Sequence, residues 1–128
     1  MDMNYQVTTD KSFTEAIQAL KVSLSNHNFG VLNELNFQNT LKSKGVDFHE
    51  DFHLLEVCNP QKAKEVLDQH LEMAFFLPCK VGVYKKSGQT HIGMPLPTKL
   101  MAMMDNEDLS TVAREVEDVL IAAIEEAK

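Results

Sequence analysis

The sequence predicts an α+β fold: about five strands in a largely antiparallel sheet, with long helices packed on one face, residues 1–128 forming a single domain. Three observations carry this. Lys86-Ser87-Gly88-Gln89 reads as a tight hairpin turn between two alternating segments, which makes the sheet at least partly antiparallel. Long stretches with apolar residues at helical spacing are interleaved with shorter ones whose period is two. No repeat, low-complexity tract or Pro/Gly-rich linker divides the chain, and its 128 residues suit one core.

The elements follow in order. A short strand around Tyr5 and Val7 precedes Ser12-Phe13-Thr14-Glu15, a capping box in which the serine oxygen takes an orphan amide and the glutamate reaches back. Phe13, Ala16, Ile17, Leu20 and Leu24 then form one helical stripe, which ends at Asn26 to Asn28. From Phe29 the period becomes two, with Phe29, Val31, Leu35 and Phe37 on one side of a half-buried strand. A turn of helix over Thr40 to Lys44 stops at Gly45, a residue that tolerates a left-handed conformation. Phe52 to Cys58 is an apolar strand. Asn59-Pro60 supplies a cap and a first-turn proline for a second helix, whose inner stripe is Ala63, Val66, Leu67 and His70.

Leu71 to Pro78 is apolar without a period and reads as an extended segment returning along that helix. Cys79, Val81 and Val83 alternate with polar or small residues as a fourth strand, and Thr90, Ile92 and Met94 return beside it as a fifth. Pro95 and Pro97 end the ladder because neither can donate an amide. A short helical piece precedes the long amphipathic last helix, whose stripe is Leu109, Val112, Ala113, Val116, Leu120, Ala123 and Ala127 and whose other, solvated face holds the acids, Glu117 among them. The sheet face opposite the helices needs cover. Met94, Tyr84 and the Met101, Met103, Met104 group are candidates, within the chain or across a two-fold homodimer.

Composition excludes several roles. Apolar residues make up 44% and charged residues 24%, an ordinary globular balance. The formal charge is −7, with acids crowded into Asp105, Glu107, Asp108, Glu115, Glu117, Asp118, Glu125 and Glu126, and no basic stripe offers a path for nucleic acid. Met1 to Val7 lacks the pattern of an export signal, and the longest apolar run, Met73 to Leu77, is far short of a bilayer span of about 20 residues. The expectation is a cytoplasmic protein with no membrane partner, whose two cysteines are buried, reactive or metal-bound.

Those cysteines focus the functional reading. Cys58 closes the third strand and Cys79 opens the fourth. If the strands run antiparallel, both sulfurs reach one end of the sheet; if parallel, they stand roughly 15 Å or more apart. The antiparallel arrangement is preferred because a returning segment shelters Met73, Phe75, Phe76 and Leu77. Glu56 then shares the face of Cys58, and Asn59 marks a helix start that favours an anion or thiolate. The predicted ligand-binding set is therefore Glu56, Cys58, Asn59 and Cys79. In the simpler reading of the same residues, the thiols are small buried hydrophobes, Asn59 is a cap and Glu56 pairs with Lys80 or solvent.

A metal site at His49, Asp51 and His53, for zinc or another divalent ion, requires a helical turn before Phe52. On an extended strand the two histidines lie ~13 Å apart. No zinc motif is matched, and solvated loop histidines are the alternative. Four of the seven methionines fall within eleven residues, Met94 to Met104, where core packing or a dimer seam competes with a copper or partner groove. No Gly-x-Ser-x-Gly, Walker loop, dinucleotide fingerprint or Cys-x-x-Cys occurs.

Leu54-Leu55-Glu56-Val57-Cys58-Asn59-Pro60 together with Leu77-Pro78-Cys79-Lys80-Val81-Gly82-Val83-Tyr84 resembles the family called domain of unknown function 302, and the likeness runs over nearly the whole chain. The resemblance implies a curved antiparallel sheet with helices on one side, similar to the TATA-binding-protein-like class, and homodimers. It covers Glu56, Cys58, Asn59, Pro60, Pro78 and Cys79, leaves the histidines outside the pattern, and implies no activity. Three functions remain open: a dimeric binding or sensing domain holding a small ligand or metal ion near Cys58 and Cys79, a thiol-dependent redox protein or enzyme using the same pair, and a structural interaction subunit.

Overall fold

The computed structural model describes residues 2–104 and 107–128, without the side chains of Met104, Glu107 and Asp108. Asp105 and those three side chains, which the sequence reading placed in the acidic run and the methionine group, thus lie outside the described residues. Strand and helix succeed each other as β1 (Asn4–Thr9), α1 (Phe13–Asn26), β2 (Gly30–Asn36), α2 (Phe37–Ser43), β3 (Phe52–Cys58), α3 (Pro60–Gln69), a 3₁₀ segment (Leu71–Phe76), β4 (Cys79–Lys86), β5 (Gln89–Pro95), α4 (Pro97–Met101), a 3₁₀ turn (Ala102–Met104) and α5 (Glu107–Ala127). The strands form one curved sheet in the order β1-β5-β4-β3-β2, each neighbouring pair antiparallel, with the helices on one face.

Local chemistry explains how α1 and α2 start. At α1 the Glu15 amide donates to Ser12 Oγ at 3.1 Å and the Ser12 amide donates to Glu15 Oε1 at 3.1 Å, closing the capping box. Asn28 leaves α1 at φ 65°, a left-handed conformation that asparagine accepts, and the Phe29 amide turns back onto the Leu24 carbonyl at 2.9 Å. α2 starts at Phe37, earlier than the spacing suggests, because Asn36 Oδ1 accepts the Asn39 amide at 3.1 Å and caps it. The β4–β5 turn has Ser87 at φ 54° and Gly88 at φ 78°, the pair of left-handed residues a two-residue hairpin needs.

The main core lies between α1, α5 and the inner sheet face. Leu20, Leu24, Leu55, Val57, Val81, Val83, Ile92, Leu120 and Ile124 are all sealed from solvent there. A smaller cluster of Val66, Met73, Leu109 and Val112 joins α3, the 3₁₀ segment and the start of α5.

Four expectations are corrected. The period of two is broken in β2 by a bulge between Val31 and Asn33, so Val31 pairs with Val57 on the helix side while Leu35 pairs with Leu54 on the open side. The return from α3 to β4 is a 3₁₀ helix, and it shelters only part of its apolar content: Met73 is buried, but Phe75 is 88% and Leu71 75% exposed. Met94 pairs with Tyr5 and is buried under the helices, so it does not cover the open face. Glu117, assigned to the solvated side of the last helix, is buried at 6% exposure.

The open face is aromatic. Phe52 of β3, Tyr84 of β4 and His91 of β5 stand in a stacked row, with centroids 5.4 and 4.7 Å apart, and Phe37 meets Phe52 edge-on. Gly82 and Gly93 sit opposite each other beside this row. A Cβ on Gly82 would lie 2.9 Å from the Phe52 ring, and one on Gly93 2.7 Å from the Gln6 Cβ. Only glycine lets the ring and β1 approach so closely.

Candidate functional site

The site is set by the direction of β4. Because β3 and β4 run antiparallel with Val57 opposite Cys79, Cys58 and Cys79 reach the same end of the sheet. Both line a small cavity of about 40 Å³ under α3, with Asn59, Lys62 and Val66 among its other walls. This is little more than the space of one water molecule.

Alternation then separates Glu56 from Cys79. Cys79 is on the helix side with Val57, whereas Glu56 faces the open side opposite Lys80. There the Glu56 carboxylate pairs with Lys80 Nζ at 3.6 Å and accepts from Asn33 Nδ2 at 3.1 Å. Asn59 Oδ1 accepts the amides of Gln61 at 3.1 Å and Lys62 at 3.2 Å, so the first free donors of α3 are already used. Of the four predicted ligand-binding residues, Cys58, Asn59 and Cys79 come together and Glu56 does not join them.

Both cysteines are free and half-buried. Burial pushes the Cys79 thiol up to about 11, the neighbouring Cys58 adds to the rise, and Lys80 opposes it. The apolar wall thus holds Cys79 as a neutral thiol near neutral pH.

The histidines do not converge. Residues 46–51 form no helical turn, and the Asp51 carbonyl accepts the Lys85 amide at 3.1 Å. The helical turn that a shared His49–His53 metal site required is absent. His53 Nδ1 lies 2.7 Å from Glu34 Oε2, and its ring meets Phe13 edge-on. Lys21 Nζ sits 2.6 Å from the other Glu34 oxygen, and Lys21 first, then His53, holds that carboxyl below its usual range. Among the described residues no group of three or more His, Cys, Asp or Glu side chains is placed to hold a metal ion.

The larger feature is one the sequence reading missed. On the side of Cys79 towards β5, a cavity of about 230 Å³ opens between the 3₁₀ segment, the beginning of β4, the end of β5, α4 and α5. Met73, Phe75, Phe76 and Leu77 form one wall, Met94, Pro95 and Pro97 a second, Leu100 and Met101 the roof, and Leu109, Ala113, Val116 and Leu120 the floor. Cys79 belongs to both cavities. The roof is fastened from outside: the amide and hydroxyl of Thr98 donate to Glu117 Oε1 at 3.0 and 2.7 Å, tying the first turn of α4 to α5. In sequence, the signal was the coincidence of two prolines, the methionine cluster and an apolar run without a period. These mark places where regular packing stops.

Such an arrangement can bind an apolar molecule. Comparison with other proteins places the architecture. The family described as Domain of unknown function DUF302 matches residues 5–127. The crystal structure of an uncharacterized conserved protein DUF302 from Bacillus stearothermophilus is similar throughout, with 39% identity, a TM-score of 0.95 and 100% of each chain covered. A comparison with curated proteins finds no match.

Proposed function

This chain belongs to the DUF302 family, a membership that brings a fold but no activity, and from that premise we propose a small dimeric binding or sensing domain. It holds an apolar molecule beside Cys79 without turning it over. The observation that carries the reading is the apolar cavity of about 230 Å³ with the Cys79 thiol in its wall. A thiol-dependent redox role needs a thiolate, and the rise of Cys79 to about 11 works against one. Two free cysteines suit a reducing compartment, which supports a cytoplasmic location.

Xenon tests the cavity directly, because it settles in apolar cavities. With methyl-labelled methionine, xenon pressure should shift Met73, Met94 and Met101 saturably, and Ala113→Phe, which fills the floor, should abolish the shifts. Unmoved methionine signals in the unmodified protein would refute the proposal.

A further inference from the structure

We infer that the molecule held beside Cys79 is a neutral aromatic compound, the size of a fused bicycle or a single ring with a short alkyl arm; this rests on the binding role proposed above. Charge comes first. A buried anion needs a cation to offset its lost hydration. Among the described residues the one lysine in the lining, Lys80, directs its ammonium to Glu56, 3.6 Å away on the open face. Lys62, at the smaller neighbouring cavity, is held by Glu115 and by Glu65. A carboxylate or phosphate entering here would have to break one of these pairs. A cationic ligand fares no better, because among the described residues the lining contains no carboxylate.

The surface that remains is soft and polarisable. Met73, Met94, Met101 and Cys79 bring four sulfur atoms to one cavity, and Phe75 and Phe76 add two rings at the segment leading into β4. Sulfur meets the edge of an aromatic ring favourably, so this wall suits a π-system better than a plain alkyl chain. Size sets the scale. An engineered apolar cavity of about 150 Å³ accepts benzene; this one, at about 230 Å³, is half as large again. Phe75 lines the cavity while 88% exposed, and a bound ring would give it an apolar partner.

Indole and indole-2-carboxylate make a matched pair of probes that differ by one charge. The chain has no Trp, so excitation at the red edge of tyrosine absorption reads the probe's own fluorescence. Titrated into the full chain at pH 7.5, indole should bind saturably and blue-shift, while the carboxylate should bind at least tenfold more weakly. Ala113→Phe should remove indole binding, and Leu100→Phe, at a half-buried roof position, should do the same if the first variant does not fold. Equal or tighter binding of the carboxylate would overturn the neutral assignment. Uptake of xenon without indole would overturn the aromatic class and leave the cavity reading intact; failure of both would remove the two together.

Discussion

At the scale of single residues, Cys79 carries a prediction of its own. Its thiol is raised from 9.0 to about 11, so the folded protein keeps the proton that the unfolded chain gives up first. A raised acid contributes stability that is complete below pH 9 and is lost as the pH climbs towards 11, by up to about 3 kcal/mol from two pKa units. Denaturant unfolding between pH 8 and 11 should therefore show a steeper decline in the natural chain than in Cys79→Ala. Tyr5, pushed up to about 12 by burial and then by Glu125, titrates in both proteins and cancels in the difference. Parallel pH profiles would show that the thiol is not held neutral by its surroundings.

Among the elements, α4 depends on a contact far from it in sequence. Its five residues are too few to hold a helix alone, and Glu117 supplies the fastening through two hydrogen bonds from Thr98. Glu117→Ala should cost about 1.5–3 kcal/mol, the range for hydrogen bonds to a charged group, and should speed amide exchange at Leu100 and Met101. Glu117→Gln, which keeps an acceptor, should recover part of both. Unchanged exchange in Glu117→Ala would mean that packing alone secures the roof. This contact was illegible in the sequence because periodicity assigned Glu117 to a solvated face, and only the arrival of α4 gives the carboxylate its partners. The capping box at Ser12, the stop at Gly45 and the Ser87-Gly88 turn were legible, since each is decided within four residues. The common end of the two cysteines was legible as a preference for antiparallel strands, although the shelter argued in its favour is only partial, with Phe75 88% exposed. The 230 Å³ cavity was not, because its walls come from segments spread over residues 66–120 and none of them announces a shared boundary.

For the molecule as a whole, the open sheet face bears on assembly. Phe52, Leu54 and Tyr84 remain half-buried there, opposite the face that the helices cover. We propose that a second copy packs against this face. Sedimentation at micromolar concentration should then give about 29 kDa from two chains of 14.4 kDa. Tyr84→Glu should return the protein to a single chain with its helices intact, and a natural chain that sediments alone would dismiss the dimer. Among the described residues no helix is long and apolar enough to cross a membrane. The bulge in β2 reaches furthest beyond this molecule. Leu32, 65% exposed, is the supernumerary residue between Val31 and Asn33, and it acts as a phase reset. Removing it would rejoin the two halves of the strand in one unbroken alternation, with Glu34 still opposite Leu55 and Leu35 still opposite Leu54. A relative one residue shorter hereabouts therefore belongs in alignment with its gap at position 32, where omission costs a loop-like residue and every downstream partner keeps its seat.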